Sequence, residues 1–267
     1  MPSTAPSAAS LSLADINREA YIFAGAGATV AWQLAMPGVG LGVARHSTTL
    51  QRPLARLQAT MGYIYAVTLG TDADRAAMAR HVNHAHRPVN GPGYNAFDRD
   101  LQLWVAATLY RGALEVHTLF VGAIAPHNRE AIYRQAWTFG RTLQVRDSQW
   151  PANVDAFEAW WSEQLAHLHV SQEVRHYFQQ VMAGGNTPWY LKPALPVQRF
   201  ITRGLMSPQL RDLFQQPWTT TDARRWQRFV RWAPRLYACV PRTLRQWPAR
   251  HYLAQVRRHT SAARSPR

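Results

Sequence analysis

Cysteine is nearly absent from this chain, and so is lysine. Cys239 is the only thiol in 267 residues. That excludes an intramolecular disulfide framework and any zinc or iron–sulfur site built on several cysteines. A lone thiol fits a reducing compartment, and the cytoplasm is the expected location. Lys192 is the only lysine among 30 basic residues, so the positive charge is carried by arginine. Acidic residues number 15, which leaves a net charge of +15. The deficit is local: from Ala223 to Arg267 there are twelve arginines and no Asp or Glu. A segment of this kind is either a solvated basic end or a contact for an anionic membrane surface or nucleic acid. Nucleic acid is the less expected partner.

Other absences narrow the chemistry. There is no Gly-x-Ser-x-Gly elbow, no Walker A loop and no His-Glu-x-x-His pair, so the common hydrolase, P-loop and zincin mechanisms lack their residues. Glu173-Val-Arg-His176 is a Glu-x-x-His unit, but a carboxylate-bridged di-iron bundle needs two such units and two further glutamates. GAGATV lacks the third glycine of a dinucleotide fingerprint and follows no strand. The N-terminus has no basic stretch ahead of an apolar core, so it does not read as a secretory signal. Residues 20–44 carry no charge, yet Pro37-Gly38 interrupts them and leaves one apolar helix of 17 residues. That length suits a buried core helix better than a membrane span.

What is present is helical periodicity. With 47% apolar residues and 11 tryptophans the chain can bury a substantial core. Alternating strand patterns are almost missing, and the expected fold is all-α: a single multi-helix domain over residues 15–240. A mobile lead-in of residues 1–14 and a basic tail of residues 241–267 are expected to flank it. Asp15 can cap a first helix running through Ile16 to Phe23, and Gly25 and Gly27 permit close approach of a backbone or a flat ligand. Pro37 to Gly42 reads as a turn. The next helix is expected to start near Pro53, with Leu54, Leu57, Met61, Ile64 and Tyr65 at helical spacing, and to end near Gly70. Arg56 and Thr60, four apart, share one face of it. Thr71 or Asp72 caps the following helix, whose apolar stripe is Met78, Val82, Ala85 and Val89. His81 and His86 fall on the edges of that stripe, and His84 points away. Pro88 stops or kinks the helix, leaving His86 in its last turn. A histidine in that position is a metal ligand or a hydrogen-bonded interior residue; spacing alone decides neither. A loop at NGPGYNAFDRD leads to a helix beginning at Asp98 or Asp100, with His117 further along its apolar run. Further helical patterns cover 127–142, 153–168 and 171–183.

Taken in order, several motifs resemble one family. They are Arg18-Glu19, the Gly25/Gly27 helix, Pro37, Gly42-Val43 with His46-Ser47, and Arg56-x-x-x-Thr60 followed by Gly70-Thr71. After them come His86-x-x-Val89-x-Gly91, Tyr94-x-Ala96-x-Asp98, Leu103-Trp104-Val105, and Pro196 ahead of arginine-rich helices. Over roughly residues 18–215 the chain resembles the MpaB and latex-clearing rubber oxygenase family of helical b-type heme proteins. The resemblance implies a heme-dependent oxidoreductase that encloses heme b (iron) and uses O2 to cleave a C=C bond in an apolar, isoprenoid-like substrate. It also implies His86 as the proximal iron ligand, with Arg56 and Thr60 as cofactor-binding and catalytic residues on the facing helix. The sequence departs from the family in three places. Ala59 stands where the rubber oxygenases place a lysine before the threonine, Ala106 follows Trp-Val in place of a frequent histidine, and Pro88 lies inside the ligand motif. The alternatives are a non-catalytic heme carrier or sensor, and a helical protein that binds anionic surfaces through its arginine-rich end. Peripheral membrane contact is compatible with each.

Overall fold

The structure, a computed structural model, describes residues 10–262, so most of the expected lead-in lies outside it. The chain is all-α apart from one two-stranded hairpin. In order, the helices are α1 (Leu13–Arg18), α2 (Ile22–Ala35), α3 (Pro37–His46), α4 (Pro53–Leu69), α5 (Asp72–His86), α6 (Arg99–Phe120) and α7 (Pro126–Thr142). They continue with α8 (Val154–Ala166), α9 (Gln172–Ala183), α10 (Leu195–Leu205), α11 (Pro208–Leu213), α12 (Thr220–Ala238), α13 (Arg242–Arg245) and α14 (Trp247–Ala262). Strands β1 (Asn90–Gly91) and β2 (Tyr94–Asn95) pair antiparallel between α5 and α6, with Asn90 opposite Asn95 and Gly91 opposite Tyr94. The turn uses Pro92 and then Gly93, whose φ of +83° is left-handed, so glycine is required there.

Most of the long helices start and stop where the local chemistry directs. Pro53 opens α4, and Gly70 closes it. Thr71 then caps α5 in a capping box with Asp74. The Asp98 carboxylate accepts the backbone N–H groups of Asp100 and Leu101 at the start of α6. Two expectations are corrected at the N-terminal end. Ser12, not Asp15, caps α1, and the chain leaves helical geometry at Glu19 before α2 begins. Pro37 to Gly42 is not a turn: Pro37 takes the first position of α3, which meets α2 at a bend of 112°. Gly40 belongs there because a Cβ would collide with the Leu34 carbonyl across that bend.

Helix α6 is the axis, with α2, α7 and α12 packed around it. Gly25 gives its space to Val116 of α6, and Gly27 to Thr202 of α10, so both glycines admit a neighbouring helix rather than a flat ligand. Trp104 of α6 stacks on Trp161 of α8 at 4.8 Å, and its indole N–H donates to the Trp32 carbonyl at 3.0 Å. Burying one such indole removes roughly 200 Å² from water, on the order of 5 kcal/mol. No single helix among the described residues is long and apolar enough to cross a membrane.

The segment expected as a basic tail carries two helices instead. Ala249, Tyr252, Leu253 and Val256 of α14 pack on α4, where Met61 and Tyr65 are buried beneath them. Arg257 pairs with Asp74 at 3.1 Å. An apolar stripe under the arginines lets this segment join the core, which charge counting does not reveal.

Candidate functional site

The antiparallel pair α4–α5 brings the sequence-nominated residues together. Arg56 precedes the Gly70 hinge by 14 residues and His86 follows Thr71 by 15, so each lies about 21–23 Å from the hinge at 1.5 Å per residue. Nearly equal lengths put them at the same end of the pair, and the Arg56 charge is close enough to act on His86. The two halves of α4 differ sharply. Met61, Gly62, Tyr63, Tyr65, Ala66 and Val67 are buried, whereas no residue from Pro53 to Thr60 is. Ala55, Arg56 and Ala59 are exposed even though Leu54 and Leu57 lie among them.

His86 is the last residue of α5. Its carbonyl accepts the Val89 N–H at 2.9 Å, and Val89 in turn accepts the Ala96 N–H at 2.9 Å, which folds the hairpin back over the helix end. Phe97 meets the imidazole edge-on at 6.3 Å. One turn earlier, Asn83 accepts from Gln144, whose backbone N–H donates to the buried Gln102 at 2.7 Å; Gln102 donates to the Ala96 carbonyl at 2.7 Å. This chain of amides ties the end of α5 to α6, α7 and the hairpin exit.

The imidazole itself is not engaged. Nδ1 of His86 is buried with no hydrogen-bond partner. Desolvation holds its pKa below the ordinary value and the nearby Arg56 charge lowers it further, so the ring is neutral at pH 7. A buried polar nitrogen without a partner costs about 1–3 kcal/mol, so its persistence calls for an explanation.

Arg56 has the complementary anomaly. Solvent touches its side chain, yet enough protein surrounds it for desolvation to lower its pKa, as for a group lining a recess rather than the outer surface. The Tyr177 hydroxyl of α9 also acts on it electrostatically. No carboxylate among the described residues forms an ion pair with Arg56. Thr60 donates its hydroxyl proton to the Arg56 carbonyl at 3.0 Å, which leaves its oxygen lone pairs free to accept. Ala59 presents only a methyl group.

The remaining histidines differ. His81 and His84 are exposed. His117 is buried, but its Nδ1 lies 2.9 Å from the Tyr21 hydroxyl, so it is a satisfied core residue. Glu173 of the Glu-x-x-His unit is consumed by two bonds to Arg45, at 2.9 and 2.8 Å. No group of three or more His, Cys, Asp or Glu able to hold a metal ion occurs among the described residues. Two surface clefts, of about 320 and 680 Å³, lie elsewhere, and neither is lined by His86, Arg56 or Thr60. The chemistry does not coincide with either of these clefts. The imidazole without a hydrogen-bond partner and the guanidinium without a carboxylate partner among the described residues make this end of α4–α5 the candidate site. Tyr177 was not nominated from sequence. It reaches the site only because α9 packs on α3, with Val174 against Gly40, and no local pattern announces that contact.

The fold and site together are those of a helical domain in which a half-buried imidazole without a hydrogen-bond partner lies near an arginine that has no carboxylate partner among the described residues. The chain belongs to the family described as ER-bound oxygenase mpaB/B'/Rubber oxygenase, catalytic domain, whose model matches residues 15–235. Among its relatives are the uncharacterized proteins Mb2261 of Mycobacterium bovis and Rv2237 of Mycobacterium tuberculosis. Each is 36% identical over 210 residues, covering 75% of this chain and 82% of the relative. No solved structure matches the chain.

Proposed function

We propose that this protein is a heme b-dependent oxygenase that uses O2 to cleave a C=C bond in an apolar, isoprenoid-like substrate. The observation that carries the reading is a buried, partnerless His86 nitrogen near an Arg56 guanidinium that has no carboxylate partner among the described residues. These residues fit the group. A porphyrin supplies four nitrogen ligands to its iron, so the protein need contribute only one or two and no three-residue metal cluster is required. Its propionates are anions, and a desolvated arginine without a carboxylate is a ready partner for one.

Bound heme supplies the redox chemistry with O2. His86 would hold the iron through a ring that desolvation keeps neutral, since a protonated imidazole cannot donate its lone pair. Arg56 would hold a propionate of that group. Thr60 has already given its proton to the helix, so its oxygen accepts from a polar group at the reacting face. Ala59 leaves that face open, with no lysine to occupy it. The half-buried Leu54 and Leu57 of the N-terminal half of α4 offer apolar surface for a hydrocarbon substrate.

The test is an absorption spectrum of purified protein supplied with heme. A Soret band is expected in the wild type and lost in His86→Ala, while the same band in His81→Ala is retained. Wild-type protein that stays colourless would sink the proposal. A heme spectrum without oxygen uptake in the presence of any polyisoprenoid alkene would reassign the protein as a heme carrier or sensor.

A further inference from the structure

The helical run from α12 to α14 contributes no side chain to the site, and one of its faces is unusual. Helix α12 is anchored on its inner side. There Trp226 stacks on Phe229 at 5.2 Å and fills the space beside Gly204, and Tyr237 packs on Phe120 at 5.3 Å. Its outer flank is uncovered: Trp232 is 56% exposed and Leu236 68%. Leu244 of α13, 62% exposed, and Trp247 at the start of α14, 55% exposed, are also uncovered, and Arg245 over the Tyr237 ring at 5.2 Å holds α13 beside the end of α12. At 100° per residue, Arg225, Arg228, Trp232 and Leu236 fall within about 80° of the α12 circumference. Arg235 and Arg231 lie over the Trp232 ring at 5.5 and 6.0 Å. The ion pairs of this segment among the described residues are Arg245 with Glu19 and Arg257 with Asp74. Arg228, Arg231, Arg235 and Arg242 are in none.

Large apolar side chains grouped on a surface, and ringed by one sign of charge, mark a docking face. The chemistry here selects among partners. A second copy would bring arginine against arginine, which costs free energy. A nucleic acid would use the arginines and could stack a tryptophan, but it gives Leu236 and Leu244 nothing to enter. An anionic lipid surface uses all three: indoles at headgroup depth, leucines at the acyl boundary, and guanidinium groups on the phosphates.

We propose that the face running from the outer flank of α12 through α13 to Trp247 docks this protein on an anionic lipid surface. Trp232, Leu236, Leu244 and Trp247 enter the headgroup–acyl boundary while the unpaired arginines contact lipid phosphates. The assignment is independent of the heme reading.

The test is flotation of the full chain with vesicles of phosphatidylcholine alone and with vesicles of equal parts phosphatidylcholine and phosphatidylglycerol. Recovery with the anionic vesicles only is expected. The double variant Trp232→Ala/Leu236→Ala should lower partitioning roughly tenfold through lost apolar burial. Arg228→Gln and Arg235→Gln should each lower it about fivefold. All four side chains are exposed, so an unchanged thermal melt confirms that the variants fold. Three results would overturn the proposal: no flotation, flotation indifferent to the apolar double variant, or tighter binding to a single-stranded oligonucleotide than to the vesicles. Dimerisation abolished by Trp232→Ala would assign the face to a second copy instead.

Discussion

Replacing Arg56 by methionine should move two properties in opposite directions. Methionine keeps the unbranched stem and a similar helix propensity, so the substitution removes a charge and little else. In the protein without heme that charge is a liability. It is partly desolvated, has no carboxylate partner among the described residues, faces the neutral His86, and sits one turn from the N-terminus of α4, where the helix dipole disfavours a cation. The dipole effect amounts to about 0.3–1 kcal/mol, and partial solvent access keeps the remaining gain modest. Apoprotein carrying Arg56→Met should therefore be more stable by about 0.5–1 kcal/mol. The Thr60 bond is made to the backbone carbonyl of residue 56 and survives the change. Heme binding should weaken, because a charge-assisted hydrogen bond contributes about 1.5–3 kcal/mol, or roughly tenfold to 150-fold in affinity. Urea denaturation of the apoprotein reads the first effect, and a heme titration followed at the Soret band reads the second. Apoprotein destabilised by the substitution, or heme affinity left unchanged, would refute the assignment of Arg56 as a counter-charge waiting for an anion.

Further outcomes follow from the same contacts. Gly27→Ala places a methyl group against the fully buried Thr202 side chain, which has no room to retreat. The overpacking should exceed the roughly 1 kcal/mol gained in helix propensity and leave a net loss of about 1–2 kcal/mol, read as a lower urea midpoint. A raised midpoint would show that α2 and α10 can part at little cost. Asp74→Asn should cost about 1 kcal/mol at pH 6. Burial pushes the Asp74 carboxyl up, but hydrogen bonds from Thr71 and the Arg257 charge outweigh it and hold the pKa below 3.8. The carboxylate thus contributes above the unfolded-state value and its contribution fades as the pH falls through the lower folded value. Denaturation at pH 3 should accordingly show a smaller gap between the two proteins than at pH 6.

Local chemistry announced those elements that it controls. Pro53, Gly70, Thr71, Pro88 and Asp98 mark helix ends in the sequence and mark them in the structure, because caps and proline act over one turn. The glycines of α3 misled for the opposite reason. Their role is to let Leu34, Val174 and Tyr94 come close, a tertiary demand that in sequence looks like a turn. The last two helices were hidden by arginine, since charge on an outer face says nothing about Ala249 or Tyr252 on the inner one. At the site, the stripe of α5 singled out His81 and His86, and only burial separates the exposed from the half-buried one. Tyr177 could not be found from periodicity, being more than a hundred residues from Arg56.

The packing of α14 on α4 sets a limit on how this domain can be cut. The stretch shared with the family stops at Arg235, before α14 begins at Trp247. A fragment ending there would uncover Met61 and Tyr65 on the very helix that carries Arg56 and Thr60. Here the recognisable homologous region is smaller than the folding unit, and the arginine-rich end braces the wall of the site from behind.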